Sequence, residues 1–577
     1  MDKYLVVKRI IMKNKRLKNI IAIITIVTFT VLMILPFLWV GQIGVHSDWS
    51  FHSARVQQIY LNLQRGHLFT YLATDTFSKV GNANFLFYPS VFLYPWALLK
   101  FIFAPVTAYL VYVWLLFLAT GLIAFYCMRS FTNGDIRQSL FFAIIYVIAP
   151  YHLYLTLSNY VLGEAQAYTF IPLILLGMWN VLYRNKWITL AVGMTLMAYS
   201  HYVSVFISVE VCFIMLICYV IQKQKVEWHK LINLIKAVIF FVLLSAWQFI
   251  PLFTDYLHGN LMRPSSGFML MQSAGDFIVS AISNDALNRG GIGLLLLIAL
   301  VFGWIFIDKN SKYIWAYIIG VVITLMITTA FPWQYFAKTP LSIIQFPYRY
   351  TSYAIAFLAI VLSKALLKLN YSTISTNVIT SVILLFFILL YAGSIYSDIA
   401  RNKNTDNSVA VLANSRHGKY KTLRDSTDTP IILTNTSYNR QFSYGALYGE
   451  TDYMPVAAFK NWKSIFNRVT FINNKETKVI QKSNANKLIY NISLKENSKV
   501  DLPALAYKHT NVKLNNKVSN YKMSDRGTVL LKLNKGSYKI IVSYKPIILL
   551  SIFKLIAFIG WAGIILVYLL HYVKKRI

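Results

Sequence analysis

Residues able to bind metals or exchange protons follow the first apolar segment of the chain, in the sequence HSDWSFHSAR. His46, Asp48 and His52 have a spacing compatible with a divalent cation, which accepts nitrogen and oxygen ligands. The alternative is that Asp48 caps a helix beginning near Ser47, while the histidines are hydrogen-bonded packing residues. Arg55 shares one face of that helix with Asp48 and His52.

Two further candidate residues lie at the predicted outer boundary of the membrane. Glu164, in NYVLGEAQA, occupies the short junction between an outgoing and a returning helix, and its alternative role is helix capping. Arg349, in QFPYRY, could bind a phosphate with its guanidinium fork. The alternative for Arg349 is a side chain that snorkels to the interface.

One acidic residue lies inside an apolar segment. Glu210 is in the middle of FISVEVCFIM, where an ionised carboxylate costs about 2.5–3.5 kcal/mol unless it has a partner or is protonated. His201 lies nine residues away toward the outer end of the same helix, so the two side chains cannot touch within that helix. We therefore expect Glu210 to face a cavity or a hydrogen-bond partner that the sequence does not identify.

The composition is that of a membrane protein. Of 577 residues, 57% are hydrophobic and 13% are charged, and the mean hydropathy is +0.53, outside the usual range of water-soluble chains. The net charge of +35 does not indicate a nucleic-acid partner, because the basic residues fall in short loops and in a separate C-terminal region. Topology and the anionic headgroups of the lipid bilayer explain this charge better.

Twelve apolar segments are interpreted as spans of a polytopic α-helical membrane protein. With the N-terminus inside, the loops obey the positive-inside rule, which predicts cytoplasmic termini in a bacterial cytoplasmic membrane. Segment 85–104 is not counted, because Pro89 and Pro95 favour a broken helix at the outer interface. The predicted spans are 20–41, 106–128, 139–157, 167–183, 187–200, 202–221, 231–252, 291–307, 313–331, 348–367, 374–395 and 546–571.

The C-terminal part of the chain has a different character. Region 396–545 contains 25 Lys/Arg against 10 Asp/Glu, and alternating runs such as KLIYNISLK are separated by Asn, Asp and Gly turns. These features predict an extracytoplasmic β-sandwich-like domain. The predicted regions are a basic cytoplasmic N-terminus (1–19), a transmembrane domain (20–395) with outer loops 42–105 and 253–290, the β-rich domain (396–545), and a final helix with a cytoplasmic tail (546–577).

The order of these motifs resembles that of the GT-C membrane glycosyltransferases. The resemblance is specifically to the bacterial 6-pyruvoyl-tetrahydropterin synthase-related membrane proteins, close to YfhO-type enzymes. It rests on HSDWSFHSAR, FYPSVFLYP, NYVLGEAQA, SHYVS and QFPYRY, with GETDYMP leading into the β-rich region. No pterin-synthase chemistry is implied, because that chemistry needs a three-histidine zinc site in a compact α/β domain.

The resemblance implies transfer of a sugar from a polyprenyl-phosphate donor to an acceptor outside the membrane, with inversion at the anomeric carbon. Asp48 would be the catalytic base, and Glu164 would orient the acceptor or help to hold a metal ion. A cation would stabilise the departing lipid phosphate, with Arg349 as the main candidate. The other candidates for substrate or lipid-phosphate binding are His52, Arg55 and His201.

The same resemblance does not decide whether the protein requires a divalent cation, Mg²⁺ or Mn²⁺, since some relatives in the wider superfamily depend on a metal and others do not. The sequence has Trp and Ser after Asp48 rather than a second acid, which favours the base role there over metal ligation. The candidate metal ligands are His46, Asp48, His52 and Glu164.

Two other functions fit parts of the sequence. A transporter or flippase of envelope precursors would explain many spans and the buried Glu210, but it needs a polar site near the bilayer midplane. A noncatalytic envelope assembly protein would use the basic β-rich domain to bind anionic wall polymers. The Lys- and Asn-rich composition suggests a low-GC Gram-positive source, in which the acceptor would be a glycolipid, teichoic acid or polysaccharide of the cell envelope.

Overall fold

The computed structural model of the protein describes most of the chain. Parts of the predicted loop 253–290, of region 396–545 and of the C-terminal tail lie outside the described residues. The described ranges are 2–224, 227–263, 267–268, 270–286, 291–308, 311–368, 376–404, 416–417, 420–421, 431–443 and 449–574.

The described part of the chain is mostly helical, and short 3₁₀ and π turns join several of its α-helices. The α-helices are α1 (Asp2–Val40), α2 (Trp49–Gln64), α3 (Asn84–Phe87), α4 (Tyr94–Leu99), α5 (Pro105–Phe131), α6 (Ile136–Ile148), α7 (Pro150–Leu153), α8 (Leu162–Tyr168), α9 (Ile171–Arg184), α10 (Ile188–Ala198), α11 (Tyr202–Lys223), α12 (Trp228–Pro251), α13 (Ala274–Ser283), α14 (Leu294–Phe302), α15 (Lys312–Ile327), α16 (Thr351–Leu366), α17 (Thr376–Asn404), α18 (Val456–Lys460), α19 (Trp462–Phe466) and α20 (Ile548–Lys574).

Among the described residues, six helices are long and apolar enough to cross a membrane, and all six coincide with predicted spans. Two further predicted spans are helix pairs bent by 48° at α6–α7 and by 41° at α8–α9, which gives up to eight candidate spans. The four remaining predicted spans contain the shorter helices α10, α14, α15 and α16. The prediction of a polytopic helical membrane protein is confirmed, whereas the count of twelve spans stays a prediction.

Segment 85–104 is broken, as its two prolines predict. It contains the short helices α3 and α4, with a 3₁₀ turn at Val91–Leu93 between them. Pro89 lies in the irregular stretch after α3, and Pro95 is tolerated in the first turn of α4, where its missing N–H has no intrahelical partner. The break leaves the backbone carbonyls near residue 88 free to bond with side chains.

The strands of the described residues are β1 (Gln42–Val45), β2 (Arg416–His417), β3 (Tyr420–Lys421), β4 (Ile431–Thr434), β5 (Thr470–Ile472), β6 (Lys475–Thr477), β7 (Gln481–Asn484), β8 (Lys487–Leu494), β9 (Ser498–Leu505), β10 (Thr510–Leu514), β11 (Lys517–Ser519), β12 (Lys522–Met523), β13 (Thr528–Leu533) and β14 (Gly536–Tyr544). Ten of them form two five-stranded antiparallel sheets in the C-terminal region, with the orders β11-β10-β14-β8-β7 and β12-β13-β9-β5-β6. The other four form two-stranded sheets, which pair β1 with β4 and β2 with β3.

The two large sheets share one hydrophobic core, so the predicted β-rich C-terminal region is confirmed. In β8, buried Leu488, Tyr490 and Ile492 alternate with outward residues, which is the period-two pattern visible in the sequence. The sandwich is joined to the helical part by backbone contacts, including the hydrogen bond from the Leu505 N–H to the Val80 carbonyl at 2.9 Å. A larger core fills the helical part and extends to the base of the sandwich.

Candidate functional site

Contacts from distant parts of the chain fix the start of helix α2, which carries the first candidate residues. Just before the helix, β1 pairs with β4 in an antiparallel register. Trp49, the first residue of α2, is 2% exposed, and its Nε1 donates to Gln441 Oε1 at 2.8 Å. Ser47 has a φ of 51°, a strained conformation for a residue other than glycine. The N-terminal end of α2 is therefore held in one position.

The carboxylate of Asp48 does not cap α2. Asp48 occupies the N-cap position without a capping hydrogen bond, and no described residue donates to its side chain. The residue is half-buried. Burial raises the pKa of Asp48 to about 6. The positive charge of Arg349 opposes this increase, and the negative charge of Asp452 adds to it. Such a carboxylate is ionised at neutral pH and basic enough to accept a proton.

Glu164 and Arg349 form a buried ion pair. Arg349 Nε lies 3.5 Å from Glu164 Oε2, and Tyr151 Oη donates to the other carboxylate oxygen at 2.5 Å. Arg349 Nη1 donates to the Ile344 carbonyl at 2.7 Å and to Gln345 Oε1 at 3.1 Å. Arg349 is only 9% exposed and thus does not snorkel to solvent. No described residue accepts from Arg349 Nη2, so one edge of the guanidinium fork stays open.

A 3₁₀ turn, Pro347–Tyr350, places Arg349 beside α8. The last residue of this turn, Tyr350, donates its hydroxyl hydrogen bond to Glu210 of α11. This contact supplies the partner that the sequence does not identify for Glu210. It also ties the turn that carries Arg349 to α11, one of the candidate spans.

Tyr88, at the break in segment 85–104, lies among the candidate residues. A Cβ atom at Gly163 would be 2.2 Å from Tyr88 Oη, so glycine lets the phenol lie directly against α8, next to Glu164. The ring centroids of His52 and His201 are 6.0 and 6.1 Å from that of Tyr88. The pKa of Tyr88 is raised by burial, and it also responds to the charges of Asp48, Arg55, Arg349 and Glu164.

Arg55 supports the broken segment. Its Nη2 donates to the carbonyl oxygens of Tyr88 at 2.8 Å and Pro89 at 2.9 Å, which the break leaves without helical partners. The guanidinium is 0% exposed and lies over the rings of Phe51 and Phe85. Burial lowers the pKa of Arg55 to about 10, so it stays charged at neutral pH. The structure thus gives Arg55 a positioning role under Tyr88 and not a surface that a phosphate can reach.

The three candidate histidines lie in different surroundings. His52 is 1% exposed, and burial, reinforced by neighbouring positive charge, holds its pKa well below its usual value, so it is neutral. His201, just before α11, has Nδ1 2.8 Å from Ser204 Oγ. The ring of His46 meets that of Tyr160 edge-on, at a centroid distance of 6.3 Å.

The metal candidates do not converge. Within the described ranges, no three His, Cys, Asp or Glu side chains come together in a way that could hold a metal ion. Glu164 is engaged by Tyr151 and Arg349, and the side chains of His46 and His52 face aromatic rings. The donor set His46, Asp48, His52 and Glu164 therefore does not fit a metal site, and no chemical step is assigned to one.

The loop GETDYMP brings a further acid to the cluster. A Cβ atom at Gly449, whose φ is +72°, would be 2.3 Å from the ring of Phe51, so this loop lies directly on α2. Asn82 Nδ2 donates to the carbonyl of Asp452 at 3.1 Å. Burial raises the pKa of Asp452, and the charge of Asp452 in turn acts on Asp48.

The arrangement suits proton transfer beside an anion. Asp48 is a proton acceptor with no bonded partner in the described structure, and the open edge of Arg349 is a ready donor to an oxyanion. The two side chains form no ion pair with each other among the described residues, yet the positive charge of Arg349 acts to lower the pKa of Asp48. A substrate bound between them would meet a base on one side and a cation on the other.

A family model described as a 6-pyruvoyl-tetrahydropterin synthase related domain, of membrane proteins, matches residues 85–399. This range is more than half of the chain. The protein belongs to this family. The pterin-synthase-related region contains Tyr88, Glu164, His201 and Arg349, whereas Asp48 precedes it and Asp452 follows it. No curated protein matches the chain.

Family membership confirms the resemblance to the 6-pyruvoyl-tetrahydropterin synthase-related membrane proteins. The narrower resemblance to GT-C and YfhO-type enzymes stays a prediction. Sequence reasoning missed Tyr88, Asp452 and Tyr151 as members of the cluster. The first two lie inside FYPSVFLYP and GETDYMP, so their motifs were recognised without a role for the individual side chain.

Proposed function

We propose that the protein is a membrane glycosyltransferase of the GT-C type, close to the YfhO-like enzymes. It would transfer a sugar from a polyprenyl-phosphate donor to a glycolipid, teichoic acid or polysaccharide of the bacterial cell envelope, with inversion. The extracytoplasmic active face, cytoplasmic termini and twelve spans belong to the same proposal. The observation that carries it is the meeting of a proton acceptor, Asp48, and an open guanidinium, Arg349, in one cluster beside the membrane helices.

In the proposed reaction, Asp48 accepts the proton of the acceptor hydroxyl as that oxygen attacks the anomeric carbon of the sugar. The bond from the anomeric carbon to the phosphate oxygen breaks, and its electron pair stays on the departing polyprenyl phosphate. Attack from the side opposite the leaving group inverts the anomeric carbon. The pKa of about 6 suits Asp48 to this work, because the carboxylate is ionised at pH 7.

Arg349 would stabilise the leaving phosphate. A guanidinium in a site with little water interacts strongly with developing negative charge, and its position is already set before the reaction. Glu164 is the ionic partner of this guanidinium, with Oε2 3.5 Å from Nε. The Ile344 carbonyl and Gln345 Oε1 accept from Nη1, so Nη2 is left for the donor. Glu164 therefore acts as a positioning residue for Arg349. This role is narrower than the acceptor-orienting role that the resemblance implies for Glu164.

The test is sugar transfer by the purified full-length protein in liposomes, with a panel of radiolabelled polyprenyl-phosphate sugars. Wild type is compared with Asp48→Asn and Glu164→Gln, which keep side-chain size and remove charge. Asp525→Asn, at an exposed turn of the sandwich, is the matched control. We expect transfer by wild type and the control, at least 100-fold slower transfer by Asp48→Asn, and an intermediate loss for Glu164→Gln.

Equal transfer by wild type and Asp48→Asn would overturn the assigned base. If folded wild-type protein transferred sugar from none of the donors, the glycosyltransferase proposal would be overturned and the transporter hypothesis would be favoured. Movement of labelled donor across the liposome membrane, without its consumption, would support that alternative directly.

A further inference from the structure

A cavity of about 290 Å³ lies between segment 68–94, α12 and α20. Its wall is mostly apolar and aromatic, with Phe85 and Tyr94 from the broken segment and Trp247 from α12. The wall also contains Lys554 of α20, and no aspartate or glutamate is among the residues that line it. The cavity therefore suits a ligand that is apolar over most of its surface and negatively charged at one point.

Lys554 is held toward this cavity by aromatic side chains. Its Nζ lies 4.0 Å from the ring centroid of Phe69 and 4.9 Å from that of Tyr71, and it donates to Tyr71 Oη at 3.2 Å. An ammonium group has three donors, so further donors are left for a ligand. Lys554 is six residues beyond the start of α20, roughly 9 Å along the helix, on the side nearest the sandwich.

A second donor of the cavity wall has no bonded partner. Gln248 of α12 is 6% exposed, and its Nε2 is buried without a hydrogen-bond partner in the described structure. A buried amide N–H without a partner is unfavourable, and a turn of this amide toward the cavity would let an acceptor atom of a ligand bond to it. Gln248 Nε2 and Lys554 Nζ are both donors, so they select oxygen acceptors such as those of a phosphate group.

Arg55 separates this cavity from the Asp48 cluster. Its guanidinium carbon lies 5.3 Å from the ring centroid of Phe85, which lines the cavity, and 5.0 Å from that of Tyr88, which lies in the cluster. The guanidinium is fully buried between them. Neither Tyr88 nor Glu164 is among the residues that line the cavity.

We propose that this cavity is a binding site for an anionic glycerophospholipid, with the phosphodiester at Lys554 and Gln248 and an acyl chain against the aromatic wall. A single cation matches the single negative charge of a phosphodiester. The chains continue along the lipid-facing surface of α20, where Leu555 and Phe558 are 59% and 72% exposed. This site is separate from the proposed donor site and does not depend on the glycosyltransferase proposal.

The test is native mass spectrometry of the full-length protein in detergent, titrated with dioleoyl-phosphatidylglycerol. The variants are Lys554→Met and Gln248→Glu, which remove the cation or place a negative charge in the cavity. Lys545→Met, at an exposed lysine just before α20, is the control for general attraction of anionic lipid. We expect binding to weaken about tenfold in Lys554→Met and at least as much in Gln248→Glu, and to change less than twofold in the control.

Dioleoylglycerol, which lacks the phosphate, and polyprenyl phosphate are titrated in parallel. Equal binding by wild type and Lys554→Met, with unchanged unfolding midpoints, would overturn the proposal, as would equal binding of dioleoylglycerol. Displacement of phosphatidylglycerol by an equimolar amount of polyprenyl phosphate would reassign the cavity to the lipid carrier. Asp48→Asn should bind phosphatidylglycerol like wild type, which separates failure of this site from failure of the proposed enzyme.

Discussion

Two acids at the junction of the helical part and the sandwich have opposite surroundings. Asp255, in the π turn Leu252–Tyr256 at the end of α12, is 2% exposed and has a full set of donors. His509 Nδ1 lies 2.9 Å from both carboxylate oxygens, while Thr254 and Tyr544 donate at 2.7 and 3.3 Å. Asp48 is half-buried and accepts no hydrogen bond from the described residues.

Hydrogen-bond donors distinguish an acid that stabilises the fold from an acid that takes part in catalysis. The donors of Asp255 come from both parts of the molecule, so its carboxylate joins α12 to the sandwich. The carboxylate of Asp48 stabilises nothing by bonding, and its burial costs free energy, as the raised pKa records. Such a cost is typical of groups kept for function.

The largest effect should come from neutralising the carboxylate of each acid by substitution with asparagine. Asp48→Asn should lower kcat for transfer by about 10²–10⁴-fold, the usual contribution of a general base, without lowering the unfolding midpoint. Asp255→Asn should do the reverse, because it weakens the bond to His509 and costs about 1–3 kcal/mol of stability. Transfer rates and thermal unfolding midpoints in detergent measure both effects. If the two variants lost activity and stability alike, the comparison would fail.

A second test disturbs the packing of the cluster without changing a charge. Gly163→Ala places a methyl group 2.2 Å from Tyr88 Oη, so Tyr88 must move. We expect transfer to slow by about 10–100-fold, since small displacements of positioned groups cost this much.

The double variant Gly163→Ala with Tyr88→Phe should recover part of the loss caused by Gly163→Ala, because it removes the clashing hydroxyl. Gly275→Ala is the matched control, since its nearest contact is Ser273 Oγ at 3.7 Å. A similar loss in that control, or no recovery in the double variant, would show that the Tyr88 contact is not responsible.

A third test extends the comparison to Glu210, whose Oε2 accepts from Tyr350 while its Oε1 has no bonded partner among the described residues. The bonded oxygen predicts a behaviour closer to that of Asp255 than to that of Asp48. Tyr350→Phe removes the donor and should lower the free energy of unfolding by about 1 kcal/mol, with a smaller effect on transfer than Gly163→Ala. Thermal unfolding in detergent measures the first effect and initial rates the second. If Tyr350→Phe lost as much transfer activity as Asp48→Asn, Glu210 would be an acid that takes part in catalysis instead.

The smallest effect is a shift in the pH dependence of transfer. Asp48 must be ionised to act, so kcat should fall on the acid side with an apparent pKa near 6, about tenfold for each further pH unit. Asp452→Asn removes a negative charge that raises the pKa of Asp48, so the fall should move to lower pH. Arg349→Gln removes the opposing charge and should move the fall to higher pH.

Initial rates between pH 4.5 and 8, at saturating donor, measure the direction of these two shifts. Burial holds the pKa of His52 well below its usual value, so His52 is neutral at pH 7. Asp525→Asn serves as the control and should leave the profile unchanged. Shifts of the same sign in Asp452→Asn and Arg349→Gln would contradict the assignment of the acid limb to Asp48.

The features of the fold that depend on local pattern could be predicted from the sequence. Long apolar runs require helices in lipid, where each backbone polar group must be bonded within its own segment, and six of the predicted spans are such helices. Pro89 and Pro95 predicted the break in segment 85–104 because proline removes backbone donors. Alternation in KLIYNISLK predicted β8, since one face of a strand is buried against a shared core.

Which polar side chains come into contact depends on the tertiary fold and could not be predicted from the sequence. Glu164 and Arg349 are 185 positions apart in the chain, and nothing in either motif encodes that α8 and the Pro347–Tyr350 turn are neighbours. The tertiary structure also separated two arginines of equal sequence promise. Arg55 is fully buried, with its Nη2 bonded to the carbonyls of the break. Arg349 is 9% exposed, and no described residue accepts from its Nη2. Hydrogen-bond satisfaction depends on every group within reach, and these groups come from segments that the chain brings together only on folding.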